Sequence, residues 1–325
     1  MRLLVTGGAG YIGSAVASLL ADSGHEVVVL DDLSTGYADA VPAAATFVRG
    51  TVRDDAQAVL STGADAVLHF AAKSLVAESV ANPALYWQHN LGGTLALLEA
   101  MRVTGTARIV FSSTAAVYGE PERMPIDEAT PTRPGSPYGA SKLAVDTALA
   151  EHARMHGIGA VSLRYFNVAG AHAGADGTWL GERHDPETHL IPSVLKVALQ
   201  DGPRPPVPIY GDDYPTPDGT CVRDYIHVTD LARAHLLALD ACTPGEHRIY
   251  NLGNGSGYSN LEVLQTCREV TGHEIPSRIA PRRQGDPPVL IASSERFHAE
   301  RDWRPEADLA AMITDAWQFA QGQLR

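Results

Sequence analysis

A chain of 325 residues, 45% hydrophobic and 19% charged, exceeds the size at which one hydrophobic core stops growing, so two lobes are expected. Its net charge of −13 argues against nucleic acid or an anionic membrane as partner, because such surfaces are gripped by Lys and Arg. Cys221, Cys242 and Cys267 are an odd set without close spacing, which points to neither a disulfide framework nor a metal site, and to a reduced, cytoplasmic setting.

The chain opens straight into a strand pattern, Arg2 to Thr6, so no signal peptide is expected. No apolar run reaches the ~18 residues of a spanning helix, so no membrane anchor is expected either. Gly7, Gly10 and Gly13 follow, then a helical stretch from Ser14 to Ser23 closed by Gly24. Strand, glycine turn and helix in that order let the backbone approach a pyrophosphate, which the helix N-terminus then favours. The second strand, His25 to Leu30, ends on Asp31, 18 residues after Gly13. A carboxylate there accepts from a ribose hydroxyl and repels a 2′-phosphate, so the expected cofactor is NAD rather than NADP.

Strands near Thr46–Val48 and Ala64–Phe70, separated by helical stretches, call for a parallel sheet covered on both faces. Pro83 to Gly105 reads as one long amphipathic helix with Leu85, Leu91, Leu95, Leu98 and Met101 near helical spacing, a face for the core or for a second subunit. Strand Arg108 to Phe111 delivers Ser112, Ser113 and Thr114 at its carboxyl end, where open parallel sheets bind ligands. At the mouth of the next helix, Tyr138 and Lys142 stand four residues apart and so share a face. An ammonium beside the phenol favours the phenolate and makes Tyr138 a candidate general base, although the same pair serves equally as an ordinary helix-face contact.

The second half alternates short strands (Val207–Tyr210, Asp224–Val228, Arg248–Leu252, Arg278–Ala280) with helices (His189–Leu199, Thr229–Leu239, Asn260–Thr271, Leu309–Phe319). The glycine-rich run Gly253 to Gly257 reads as a structural turn, because the dinucleotide already has its place at the amino end.

Several runs carry a resemblance. Thr6 to Gly13, Ser112-Ser113-Thr114 before Val117-Tyr118-Gly119, and Tyr138-x-x-x-Lys142 resemble the extended short-chain dehydrogenase/reductase superfamily. Arg164 to Asn167, Gly211 to Thr216, Asp218 to Thr220, Val222 to Val228 and Tyr250 to Gly253 are similar to the UDP-glucose 4-epimerase family. The resemblance implies an α/β, Rossmann-type doubly wound parallel sheet with a smaller mixed α/β substrate lobe. Residues 1–165 would bind NAD, completed by part of about 220–252, and residues 166–325 would mainly bind the nucleotide sugar. It also implies interconversion of UDP-galactose and UDP-glucose through a 4-keto sugar, with UDP-N-acetylhexosamines as further substrates, and a homodimer.

In that family pattern Tyr138, Lys142 and Thr114 are catalytic, Lys142 also contacting the nicotinamide ribose. Cofactor contacts fall on Gly7, Gly10, Tyr11, Ile12, Gly13, Asp31, Asp32, Leu33, Ser34, Thr35, Gly36, Thr51, Val52, Phe70, Ala71, Ala72, Lys73, Ser74, Asn90 and Phe166. Substrate contacts fall on Asn167, Leu190, Pro208, Ile209, Tyr210, Arg223, Arg283, Asp286 and Leu290, the two arginines facing the diphosphate. Thr51 departs from the acidic residue common there, and His189 replaces an asparagine of some relatives and is expected to be structural. Dehydratases and decarboxylases of the superfamily carry an acid just after the threonine, where this chain has Ala115-Ala116. A 4-epimerase of a UDP-uronate or UDP-pentose, or a non-catalytic NAD-binding protein, stays open.

Overall fold

The computed structural model describes residues 1–283 and 285–323; Gln284, inside the Arg283 to Asp286 motif, lies outside them. Six strands pair in parallel: β1 (Arg2–Thr6), β2 (Glu26–Asp31), β3 (Thr46–Arg49), β4 (Ala66–His69), β5 (Arg108–Thr114) and β6 (Gly159–Tyr165). Their spatial order is β6-β5-β4-β1-β2-β3, and the strand His247–Leu252 adds a seventh beside β6. That is the doubly wound order, with its switch point between β1 and β4. Every residue of β4 and β6 is buried, as strands covered on both faces require. Leu4, Leu30, Val67, Leu97, Ile109 and Leu149 join sheet and helices in one core.

The chain divides into two compact units. The first comprises Met1–Pro121, Glu128–Tyr165 and Ala232–Asn251; the second comprises Glu122–Asp127, Phe166–Leu231 and the chain from Leu252 onward. In the second unit Val207–Tyr210 pairs in parallel with Ser277–Ala280, and Asn167–Ala169 with Tyr225–His227. Val222–Arg223 lies between Tyr258–Ser259 and Val289–Leu290. The helices Leu190–Ala198, Asn260–Thr271 and Leu309–Gly322 close over Val194, Leu195, Val263, Leu264, Met312 and Ile313. Among the described residues no helix is long and apolar enough to cross a membrane.

Three expectations about local structure are corrected. The first helix starts at Tyr11 rather than Ser14, with Gly10 at its N-cap. Gly13 permits this, since a Cβ there would lie 2.2 Å from the Gly7 carbonyl oxygen. Pro83 to Gly105 is not one regular helix: Pro83–Tyr86 leads into a wide-turned segment, Trp87–Gly92, before Gly93–Thr104. Adjacent glycines with poor helix preference, Gly92 and Gly93, sit at the change. Finally, β5 runs through Ser112, Ser113 and Thr114, so these hydroxyls belong to the strand and not to a loop after it.

Candidate active site

In the first unit the glycine turn has the geometry its sequence called for. Gly7 has φ +73°, and a Cβ on it would lie 2.5 Å from the Ala71 nitrogen, so only glycine fits between β1 and the segment after β4. Gly10 caps the helix Tyr11–Asp22 with no side chain of its own. The first-turn N–H groups are therefore left without a side-chain acceptor, a ready site for phosphate oxygens. The cradle, which added methyl groups would fill, fits a dinucleotide.

Asp31, at the end of β2, is buried, and burial pushes its carboxyl up against the opposing pull of backbone donors from Leu33 and Ala9. Its Oδ2 accepts from Ala9 N at 3.0 Å and its Oδ1 from Leu33 N at 2.8 Å. The carboxylate thus ties the glycine turn to the Asp32 to Gly36 loop, in which Leu33 takes φ 61°. Thr51 caps the helix Val52–Leu60, accepting from Asp54 N at 3.0 Å and donating to its carboxylate at 2.8 Å. Capping accounts for a threonine at this position.

Phe70 and Ala71 both donate their N–H groups to Thr6 O, which extends the β1–β4 edge by two residues. Asn90, in the wide-turned segment, is 2% exposed. Its Oδ1 accepts from Lys73 N at 2.8 Å, and its Nδ2 donates to Lys73 O and to Ser141 Oγ, each at 3.0 Å. One carboxamide therefore fixes the Phe70 to Ser74 segment against the helix that carries Tyr138 and Lys142.

That helix, Pro137–His156, begins with Ser136 accepting from Gly139 N, and its Pro137 suits a first turn whose N–H needs no partner. Tyr138 lies in the first turn, edge-on to Tyr86 with ring centroids 6.4 Å apart. Lys142, one turn on, is 2% exposed; its Nζ donates to Ser112 O at 2.7 Å and lies 4.7 Å from the centre of the Phe111 ring. Thr114, at the end of β5, accepts from Ala116 N at 3.2 Å.

The expectation that Lys142 draws the Tyr138 pKa down toward the working pH is not met. Burial pushes the phenol up, and the opposing influence is a hydrogen bond with Thr114 rather than the ammonium. Burial also drives Lys142 down to about 7, against the attraction of Asp146 one further turn along. Desolvation disfavours the charged form of a buried lysine, which weakens its pull on a neighbouring phenol.

Behind these groups runs a buried chain of polar residues that sequence reading assigned no role. Arg164 donates Nε and Nη2 to Asp146 Oδ2 at 3.0 and 2.8 Å, and Nη1 to Tyr118 Oη at 3.0 Å. Tyr118 in turn donates to Asn251 Oδ1 at 2.7 Å. Three of the family-like motifs thus meet here and act as support.

In the second unit Arg223 donates Nη2 to Asp286 Oδ1 at 2.7 Å and pairs across strands with Leu290. The Arg283 guanidinium stacks over Tyr210, 4.1 Å from the ring centre, on the strand that also holds Pro208 and Ile209. Asn167 donates its N–H to Asp224 O at 3.0 Å, and Leu190 opens the helix Leu190–Ala198. The Gly253 to Gly257 turn wraps an internal anion: Asn254 N and Gly255 N donate to the fully buried Asp224 carboxylate at 2.6 and 2.9 Å, so its donors are already used.

A parallel sheet with this strand order, a glycine cradle and a helix carrying Tyr-x-x-x-Lys with its lysine buried define a nicotinamide-dinucleotide enzyme. Residues 3–253 match the NAD dependent epimerase/dehydratase family, and the chain belongs to it. It is 56% identical over 322 residues to the UDP-glucose 4-epimerase of Streptomyces lividans, covering 98% of this chain and 95% of that one. A crystal structure of a UDP-glucose 4-epimerase superimposes with a TM-score of 0.94 at 46% identity, covering 100% of this chain and 99% of that chain. Another, from Bifidobacterium longum in complex with NAD+ and UDP, gives 0.90 at 39% identity, covering 99% of each chain.

Proposed function

We infer that the chain is an NAD-dependent isomerase that interconverts UDP-galactose and UDP-glucose by inverting carbon 4 of the sugar. The observation that carries this reading is the helix Pro137–His156, which sets Tyr138 and Lys142 one turn apart beside Thr114, in the unit that holds the dinucleotide cradle. The glycine turn would hold NAD, which would supply a reversible hydride acceptor for carbon 4, with no net consumption of cofactor.

The residues divide the remaining work. As the phenolate, Tyr138 takes the proton from the carbon 4 hydroxyl and, then a phenol, gives it back to the 4-keto oxygen, while Thr114 hydrogen-bonds at that oxygen. Lys142, held by Ser112 O, orients the nicotinamide ribose and supplies a cation as the site gains negative charge. The absence of an acid at Ala115 and Ala116 leaves elimination without a catalyst. The glycine turn, Asp31 to Gly36, Thr51, Val52, Phe70 to Ser74, Asn90 and Phe166 are assigned to the cofactor. Asn167, Leu190, Pro208 to Tyr210, Arg223, Arg283, Asp286 and Leu290 are assigned to the nucleotide sugar, with the arginines on its diphosphate.

The same reading takes residues 1–165, with part of about 220–252, as the NAD-binding domain and places the enzyme in the cytoplasm. It also makes the enzyme a homodimer. Leu98 and Met101 are buried in the first unit's own core, whereas Trp87, Leu95 and Val103 on the same stretch are 41%, 41% and 52% exposed and offer the apolar face. Incubating the purified protein with UDP-galactose and no added cofactor is the direct test. Appearance of UDP-glucose supports the assignment, and its absence from NAD-loaded, folded protein overturns it.

A further inference from the structure

We propose that Glu182, His184, Glu187 and His189 form a binding site for a divalent transition-metal ion of the zinc type. These four residues lie in one short loop, between the strand Trp179–Gly181 and the helix Leu190–Ala198. Each offers one ligand atom, and all four atoms lie within 4.8 Å of one another. Two imidazole nitrogens with two carboxylate oxygens make a neutral site around a doubly charged ion. The mixed set favours zinc and its neighbours over magnesium or calcium, which prefer oxygen alone.

The loop geometry converges on one carboxylate. His184 Nδ1 lies 2.9 Å from Glu182 Oε1, and His189 Nδ1 contacts the same oxygen. His184 Nδ1 is buried and faces the Glu182 carboxylate, so the nitrogen points into the cluster. The Glu182 and Glu187 side chains are only 8% and 10% exposed. Glu187 Oε1 accepts from Thr188 N and His189 N at 2.8 Å each, which fixes the orientation of the carboxylate. The His189 side chain is 52% exposed and gives the ion an entry path. Cysteine counting gave no sign of this site; the signal was the Glu-x-His-x-x-Glu-x-His spacing. Bound there, the ion fixes the start of the helix that opens with Leu190.

The inference stands apart from the epimerase reading, because its test reads metal and not turnover. NAD-loaded protein is stripped with a chelator, dialysed, and titrated calorimetrically with Zn²⁺ and, for its visible absorption, with Co²⁺. Wild type is expected to bind about one Zn²⁺ per chain, not displaced by excess Mg²⁺, and to give Co²⁺ the intense bands of a tetrahedral site. His184→Gln and Glu182→Gln, each checked for retained NAD and a cooperative thermal transition, should weaken Zn²⁺ at least about ten-fold. The pair His152 and His156 on the helix Pro137–His156, rings 5.3 Å apart, is the competing site, so His152→Ala should leave binding unchanged. No saturable Zn²⁺ binding, or binding lost in His152→Ala and kept in His184→Gln, overturns the proposal.

Discussion

Arg164 and Asp146 form an ion pair at 2.8 Å whose side chains are each 4% exposed, directly behind the helix turn that carries Lys142. Asp146 is the group that draws the Lys142 ammonium upward against its burial, so the pair joins packing to the charge state of the site. Arg164→Met leaves the Asp146 carboxylate buried without its ion-pair partner, with only the Ser113 hydroxyl at 3.3 Å and the attraction of Lys142 to hold it. Removing one partner of such a pair costs about 3–5 kcal/mol. Chemical denaturation should show a loss of that size, and a loss below ~1 kcal/mol, the size typical of an exposed pair, would mean that the carboxylate has other support.

Tyr138→Phe removes the proton that moves and little packing. Turnover is expected to fall by about 10²–10⁴, the usual contribution of general acid–base assistance, with bound NAD retained. A variant keeping more than about a tenth of wild-type kcat would move the base to another group.

The buried lysine makes stability depend on pH. Its native pKa is depressed to about 7 from an unfolded value of 10.5, so between those values the unfolded chain binds the extra proton. The sign follows: the Lys142 contribution disfavours the native state below about pH 7, and stability rises with pH across that window. Denaturation of NAD-free protein at several pH values should show this rise, and Lys142→Met should flatten it. An unchanged slope in the variant would assign the rise to other groups.

Asp31→Ala removes a carboxylate that accepts from Ala9 N and Leu33 N. Hydrogen bonds to charged groups contribute about 1.5–3 kcal/mol each, so both stability and NAD retention should drop together. Loss of NAD with unchanged thermal stability would limit Asp31 to the ribose.

Leu290 stands in the strand Val289–Leu290, paired with Arg223. Its side chain leaves more room than a tyrosine would, and UDP-N-acetylglucosamine is expected to be turned over slowly beside UDP-glucose. Leu290→Tyr should lower kcat/KM for the N-acetyl sugar by ~1–3 kcal/mol of discrimination. No N-acetyl activity in wild type, or no drop on substitution, removes Leu290 from the pocket.

Much of this was legible because it is local. Gly7, Gly13 and Asp31 announce the strand-turn-helix unit by spacing alone, and Tyr138 to Lys142 announces a shared helix face. What the sequence hid depends on distant partners. The resemblance marks Asn90 as a cofactor contact, but its bonds to Lys73 and Ser141, which brace the segment after β4 against the Tyr138 helix, emerge only in the fold. The electrostatic expectation for Tyr138 failed for the same reason, since spacing places Lys142 near the phenol but does not reveal that burial drives the lysine down to about 7 and the phenol up. Tyr118, Arg164 and Asn251 sit in recognisable motifs, yet only the fold shows that they support one another.

The central claim is that the hydride removed from carbon 4 returns to the same carbon, and deuterium at that position follows it directly. Purified protein is incubated with UDP-galactose deuterated at carbon 4, in ordinary water and without added cofactor, and the product is examined by mass spectrometry and NMR. The account predicts UDP-glucose that keeps the deuterium at carbon 4, with no stoichiometric build-up of NADH. Product carrying solvent hydrogen at carbon 4, or NADH accumulating with each sugar consumed, would contradict it.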